Sequence, residues 1–472
     1  ISGDMQTDLA ENYEVSNDKT TYTFTIKDNA VFHDNTKVTS EDVVFTINQI
    51  QDGKLKSPYQ ANWQSVFVNK IDERTVQFRL ASPYSSFLEN TSIGILPSHI
   101  WKDLDSDDFT FSDSNIFAIG SGPYKISHIE KKKNGLIKSI TLKSFKDYAG
   151  NEAYISRLKF VFYKNEDELI KAFRKNKVDQ INAISGEQAK ILTSEGYDIT
   201  NINLSRIFGI FFNGNKQEIF RNKNIVKSID LAIDKNKLVD LVLGGYGKVI
   251  NSPIPSKIYD NQFDGVTDHQ ANVAEANSIL DKEGWVMQSD GFRTKSGQTL
   301  KFSISTGDAT ELQRAVEVIK DDLKEVGISV ETKVFEIGNL NQSIIRPREY
   351  ESLFFGQIIS NESDLFAFWH SSQRNDPGLN IANYTNIKVD GLLEKTLSAK
   401  TKEESDKYFQ EIESEIKKDS PAIFMYSPDF IYLTDKKINN IILNKITIPS
   451  ERLSHINDWY IRTEKIWNFL NK

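Results

Sequence analysis

Residues Thr21-Tyr22-Thr23-Phe24-Thr25-Ile26 alternate polar and apolar, the period of a half-buried strand. Thr75-Val76-Gln77-Phe78-Arg79-Leu80 repeats the pattern. Val31-Phe32-His33 is a short apolar stretch between the turn formers Asp28-Asn29 and Asp34-Asn35. Thr39 with Asp42 three residues on is a capping box with Asp in place of Glu, and Val44, Ile47 and Ile50 then mark one face of a helix. Gly120-Ser121-Gly122-Pro123-Tyr124 breaks the chain. Strands are expected over 124–131 and 136–145, joined by Asn134-Gly135 with the positive φ angles of a tight hairpin. A strand over 157–163 and a helix near 166–176, led by Asn165, follow.

The middle of the chain has α/β grammar. Leu300-Lys301-Phe302-Ser303-Ile304 reads as a strand, and Leu312, Val316, Ile319, Leu323 and Val326 place a helix over 310–326. Gly327 sits where a left-handed residue ends a helix, and Ile328, Val330, Thr332 and Val334 alternate as the next strand. Strand, helix and strand with short links imply a right-handed crossover and a parallel pair. Further helices are expected near 270–283, ending at Gly284, and near 402–418, before Pro421.

The chain has 472 residues, which calls for two or three domains. Its net charge of −8 argues against broad capture of nucleic acid or anionic lipid. No apolar run approaches the roughly 20 residues that span a bilayer. Cysteine is absent, so disulfides, Cys-ligated zinc and thiol nucleophiles are excluded within these residues.

Catalytic templates fail one after another. Gly244-Gly245-Tyr246-Gly247-Lys248 lacks the leading glycine spacing and trailing Ser/Thr of a phosphate-binding loop, and reads as turn glycines. His33, His99, His128, His269, His370 and His455 are too far apart in sequence to form a helical metal pair. His370 follows Phe366, Phe368 and Trp369, which suggests packing rather than catalysis. Lys131-Lys132-Lys133 reads as a solvated hairpin tip. An aromatic-rich α/β chain without catalytic machinery points to binding.

Several blocks resemble the extracellular solute-binding proteins of peptide/nickel-type ABC transporters, solute-binding protein family 5. Residues 9–18 resemble the family's "LAESWEVSDD" and run into Thr21-Tyr22-Thr23-Phe24, matching "TYTF". Residues 31–45 resemble "VKFHDGTPLTAEDVVF". Residues 95–101 and 120–124, Phe212-Asn213 with 229–234, 244–255, and Ala276–Leu280 with Gly284-Trp285 continue the series in family order. Phe368-Trp369-His370-Ser371-Ser372, then Asn383-Tyr384 and Val389-Asp390-Gly391-Leu392-Leu393, resemble "FHSS … NYSNPEVDxLL".

The resemblance implies an α/β, two-lobed, periplasmic-binding-protein-like fold (type II, cluster C) with an extra inserted domain and a central ligand cleft. By analogy the inserted second domain covers residues 1–118, the first domain 119–205 plus 440–472, and the third domain, the second lobe, 206–439. A leader, any lipid-attachment Cys and a first-domain strand are expected outside this chain. The expected location is extracytoplasmic, either periplasmic or lipid-anchored at the cell surface.

The implied function is capture of an extended oligopeptide between the lobes and its delivery to an ABC permease, by a monomer that needs no cofactor or metal. Backbone pairing to strand edges would hold many peptide sequences alike. Family peptide binders often carry an Asp-rich "ADYPDPDNF"-like segment before the Trp369 position. Here Ile359 falls near the amine-anchoring Asp, while Glu362 and Asp364 match later acidic positions. The residues Gln357, Ser360, Asn361, Glu362 and Asp364 are therefore taken as a ligand loop spanning 357–364. Arg206 and Phe208, at the crossover into the third domain, Trp369, and Asn383 with Tyr384 complete the expected ligand set. Arg346 and Arg348 read as solvated loop residues that can alternatively meet a peptide carboxylate. The alternatives are the same fold with a metal chelate, heme or oligosaccharide as ligand, or an α/β hydrolytic enzyme. The scattered histidines weigh against direct nickel ligation.

Overall fold

In the computed structural model, which describes residues 6–81, 87–255, 269–359, 362–399, 401–443 and 446–462, the alternating segment at 21–26 forms the inside of an antiparallel sheet. β1 (Ala10–Val15) and β2 (Thr21–Ile26) pair, β2 pairs with β4 (Thr75–Leu80), and β4 with β3 (Val66–Lys70). Between β2 and β3 runs α1 (Ser40–Gln51), whose Val43 and Ile47 pack with Tyr22, Ile26, Trp63, Val76, Phe78 and Phe87. The Thr39–Asp42 box forms: the Asp42 carboxylate accepts from the Thr39 backbone N–H at 2.8 Å. The short apolar stretch Val31–His33 contributes a single bridge between Val31 and Lys37, the turn at Asp34-Asn35 folding the chain back.

β5 (Tyr124–Lys131), β6 (Ile137–Ser144) and β7 (Arg157–Val161) form a second antiparallel sheet. Their hairpin differs from the two-residue turn expected at Asn134-Gly135. Only Gly135 has positive φ, at 83°, and the register shifts between Glu130 and Lys131. This fits a turn closed by a left-handed glycine bulge, which places the tip over residues 132–136. Downstream, α2 (Glu166–Arg174) starts at Asn165, whose side chain accepts from the Glu168 N–H at 3.0 Å.

The chain divides into two compact units, Ile1–Ile184 with Leu192–Ile202 and Ile431–Lys472, and Ser185–Ile191 with Asn203–Phe430. Short strands β8 (Gln180–Asn182) and β9 (Ile199–Asn203) precede β10 (Arg206–Phe212), the start of the second unit's sheet. On one face of that sheet lie α3 (Lys223–Ala232), α4 (Lys235–Leu243) and, after β11 (Gly247–Val249), α5 (His269–Lys282). β12 (Lys301–Gly307), α6 (Thr310–Glu325) and β13 (Ser329–Phe335) form the expected parallel crossover, in register from Lys301 opposite Ser329 to Gly307 opposite Phe335. Gly327, between α6 and β13, has φ +79°.

β14 (Ser352–Ile358) is followed on the opposite face by α7 (Glu362–Trp369), α8 (Ile387–Ser398) and α9 (Lys402–Asp419). β15 (Ala422–Thr434) completes the order β11-β15-β10-β14-β12-β13. Its residues Tyr432–Thr434, in the first unit, pair with β8. Alternation along the strands feeds two cores: Ile210, Phe212, Ile304 and Phe354 pack with α3–α6, whereas Ile207, Phe211 and Leu353 pack with α7–α9. Burial on both faces explains the near-continuous apolar run Ile207–Phe212.

Candidate functional site

β10 and β14 run antiparallel with Arg206 opposite Ile358, Ile207 opposite Gln357 and Phe208 opposite Gly356. The pairing continues one step further, where the Ile359 N–H donates to the Ser205 carbonyl at 2.9 Å. The other edge of β14 is different. β12 pairs with it only at Ser352 and Leu353, and β12 itself stops at Gly307. From Gly356 to Ile358, β14 therefore has a strand neighbour on the β10 side alone, among the described residues. An extended chain with free N–H and C=O groups can add to such an edge.

One strand in from this edge, Phe208 of β10 lies on Tyr426 of β15 with ring centroids 5.1 Å apart and planes at 22°. Glycine at 356 is what admits the ring, since a Cβ there would meet it at 2.7 Å. Burial pushes the Tyr426 hydroxyl far above its usual pKa, with the Glu311 carboxylate adding to the effect. Arg206 is half-buried on the same face. Desolvation lowers the pKa of its guanidinium, against a smaller stabilising field from Glu311 in the first turn of α6. Its Nε is buried with no acceptor among the described residues.

Gln357 points to the opposite face. It is 3% exposed, and both its amide atoms lack partners among the described residues. The segment Gln357–Asp364, expected as one loop, is therefore split. Gln357 belongs to strand β14 and Asp364 to helix α7. The apolar pair Ile358-Ile359 extends the strand ladder, and the segment from Asp364 to Trp369 buries Leu365 and Ala367 as a helix. Ser360 and Asn361, and the side chain of Glu362, lie outside what the structure describes. Asp364 is partly buried.

Other candidates sit in the core. Trp369 is 1% exposed and meets Tyr384 and Phe424 edge-on, with centroids 6.0 and 5.9 Å away. The buried Tyr384 donates its hydroxyl to Asp419 at 2.8 Å, and burial together with that carboxylate raises its pKa. Asn383 adopts φ +51° in the turn before it. Arg348 is not a solvated loop residue. It is 8% exposed and donates to the carbonyls of Ile345, Arg346 and Gly378. Arg346 faces Asp376 at 3.7 Å. His370 stacks on Phe366 at 4.1 Å, with Nδ1 2.8 Å from the Ser372 hydroxyl, in keeping with a packing role. Gly244 ends α4 in the left-handed conformation, which accounts for the glycine cluster there.

Among the described residues no group of three or more His, Asp or Glu side chains is placed to hold a metal ion, and no helix is long and apolar enough to cross a membrane. The open edge of β14, with Phe208 and Arg206 beside it, is a surface suited to an extended chain with a polar backbone. Of the expected ligand residues, Arg206 and Phe208 share one face of β10, and Gly356 and Tyr426, which were not among them, flank Phe208. No local pattern marks Gly356 or Tyr426, and only the register makes them neighbours of Phe208.

Comparison with known proteins shows the family and the fold. The family model described as bacterial extracellular solute-binding proteins, family 5 Middle, matches residues 4–377. The oligopeptide-binding protein AppA of Bacillus subtilis (strain 168) is 28% identical over 435 residues, covering 89% of this chain and 78% of its own. The solved structure of B. subtilis AppA in complex with a nonapeptide superposes with a TM-score of 0.81 at 24% identity, covering 96% of this chain and 90% of that one. NikZ of Campylobacter jejuni, solved in complex with Ni(L-His), gives a TM-score of 0.79 at 22% identity, with coverage of 96% and 90%.

Proposed function

Because the chain belongs to the bacterial extracellular solute-binding proteins of family 5, we propose that it captures an extended oligopeptide outside the cytoplasm. In this reading it passes the peptide, chemically unaltered, to the permease subunits of an ABC importer. The observation that carries the peptide reading is the edge of β14 from Gly356 to Ile358, paired on one side only among the described residues. A peptide added there would satisfy its amides on the backbone rather than through side-chain contacts, so its sequence would be weakly constrained. Each amide left unpaired in a buried site would cost about 1–3 kcal/mol, which favours ligands with a regular peptide backbone. The match to AppA, an oligopeptide-binding protein, supports the same ligand class.

The reading includes the three-part division into residues 1–118, 119–205 with 440–472, and 206–439, a monomeric state, and ligand-driven closure of the domains. Ligand shifts the population of a closed form only through contacts it makes better in that form.

Equilibrium dialysis against synthetic peptides of graded length tests the proposal. Saturable retention of peptides, recovered at unchanged mass after prolonged incubation, is expected. Retention of none of them, or recovery of cleaved products, overturns it.

A further inference from the structure

We infer that the tip of the β5–β6 hairpin rests on an anionic lipid surface. This goes beyond the function proposed above and does not depend on which solute the protein carries.

The tip joins charge to exposed apolar surface. Lys131-Lys132-Lys133 leads into the turn at Asn134-Gly135, and Leu136 leaves it. Lys131 and Lys133 are exposed, and Lys132 is half-buried. None of the three has an ion-pair partner among the described residues. Glu130, the carboxylate next to them in the strand, is taken by Lys138 at 2.7 Å and by the Ser139 hydroxyl at 3.0 Å. Leu136 itself is 61% exposed.

Two aromatic side chains come to the same end of the sheet from other segments. Phe162, which follows β7, donates its N–H to the Lys138 carbonyl at 2.9 Å and is 49% exposed. Phe117 is equally exposed, and the Lys131 ammonium lies 5.7 Å from its ring centroid. Asp103, Asp105, Asp107, Asp108 and Asp113 precede Phe117 in sequence, and none of them pairs with the three lysines. A solvated tip accounts for the lysines alone. It does not account for three large apolar side chains, from three segments, left in water beside them.

The positive field continues along the sheet. Register sets Lys125, Lys143 and Arg157 directly opposite one another across the three strands. Like charges so placed repel, and neither Lys143 nor Arg157 has an ion-pair partner among the described residues. On the same face, Thr141 stands between His128 and Lys159. An anionic surface outside the fold relieves this repulsion.

The mixture of charge and apolar surface selects lipid over a soluble polyanion. At a membrane interface, ammonium groups meet phosphates while Leu and Phe side chains enter the acyl boundary. A soluble polyanion would engage the lysines and leave the apolar groups in water. The chain as a whole carries −8, so the contact is confined to this sheet and its tip.

Cosedimentation of the full chain with vesicles tests this. One set is phosphatidylcholine alone, and the other contains about one third phosphatidylglycerol. Wild type is expected to bind the anionic vesicles at least about tenfold better at about 0.1 M salt, and to lose that preference near about 1 M. Replacing Lys131, Lys132 and Lys133 by Gln together should lower binding at least about tenfold, and Leu136→Ser alone about fivefold. Removing the same charge from the ion-paired Lys216, Lys227 and Lys388 should leave binding within about twofold of wild type. Equal binding to both vesicle sets overturns the inference. So does a triple-lysine variant that melts like wild type and binds like it, or a control variant that loses as much. Capture of soluble polyphosphate without capture of anionic vesicles also overturns it. Peptide retention is unchanged in every variant, so failure here leaves the proposed function standing.

Discussion

The ring of Phe208 occupies the volume that any side chain at Gly356 would need. The two residues face each other across the β10–β14 ladder, and a Cβ at 356 would come within 2.7 Å of the ring. The stack of Phe208 on Tyr426 thus depends on a missing side chain one strand away. Gly356→Ala should push the ring off Tyr426, cost about 1–3 kcal/mol in urea unfolding, and weaken ligand binding at the strand edge. Combining it with Phe208→Leu should recover part of the stability loss, because the smaller side chain leaves room for the methyl group. Additive losses in the double mutant would contradict the steric account.

Gln357 carries the opposite defect, a buried amide with no partner among the described residues. Replacing it by Met keeps the volume and removes two orphaned amide atoms. Gln357→Met should leave stability unchanged or raise it by about 1 kcal/mol. A loss of more than that in chemical unfolding would show that the amide is satisfied in solution.

His33 gives a pH dependence. Its Nδ1 accepts from the Gly120 N–H at 3.2 Å and its Nε2 donates to the Gly122 carbonyl at 3.0 Å, so the ring is neutral with its proton on Nε2. Burial lowers its pKa below the ordinary 6.5, and the Lys125 ammonium adds to the shift, while Asp34 and the Gly122 bond oppose it. The unfolded state therefore takes up the proton first as pH falls. The stability due to this histidine is fully present above pH 6.5 and is lost as pH drops below that value toward the folded pKa. Urea midpoints at pH 7.5 and 5.5 should fall more for wild type than for His33→Gln. Equal falls would contradict the assignment.

Asp42 joins local and distant structure. Its carboxylate accepts from the backbone N–H and hydroxyl of Thr39 and from the N–H of Ser98, and it is 3% exposed. Asp42→Ala removes the cap of α1 and leaves two N–H groups without their acceptor. A loss of about 2–4 kcal/mol in urea unfolding is expected. A loss under 1 kcal/mol would mean that water replaces the carboxylate at little cost.

The contrast between Asp42 and Arg348 shows what was legible in the chain. The capping box at Thr39, the Asn165 cap and the crossover at 301–335 follow from spacing over a few residues, and each is found. Arg348 read as solvated because its three carbonyl partners include Gly378, thirty positions away and invisible to local pattern. The hairpin tip was placed correctly at Asn134-Gly135 but given the wrong turn, since a single positive φ and a bulge satisfy the same dipeptide. At the candidate site, the family resemblance implied a ligand loop over 357–364. The strand and helix that enclose residues 360 and 361 were decided by packing of Ile359, Leu365 and Ala367 instead. The unpaired edge of β14 is a property of register between strands far apart in sequence, so no local reading reaches it.

The most direct test of the account is native mass spectrometry of the protein purified from its own host, followed by release of whatever it carries under denaturing conditions. The account predicts a set of intact oligopeptides, varied in sequence, that rebind at unchanged mass. A single metal chelate, heme or sugar in their place, or peptides that shorten on incubation with the protein, would contradict it.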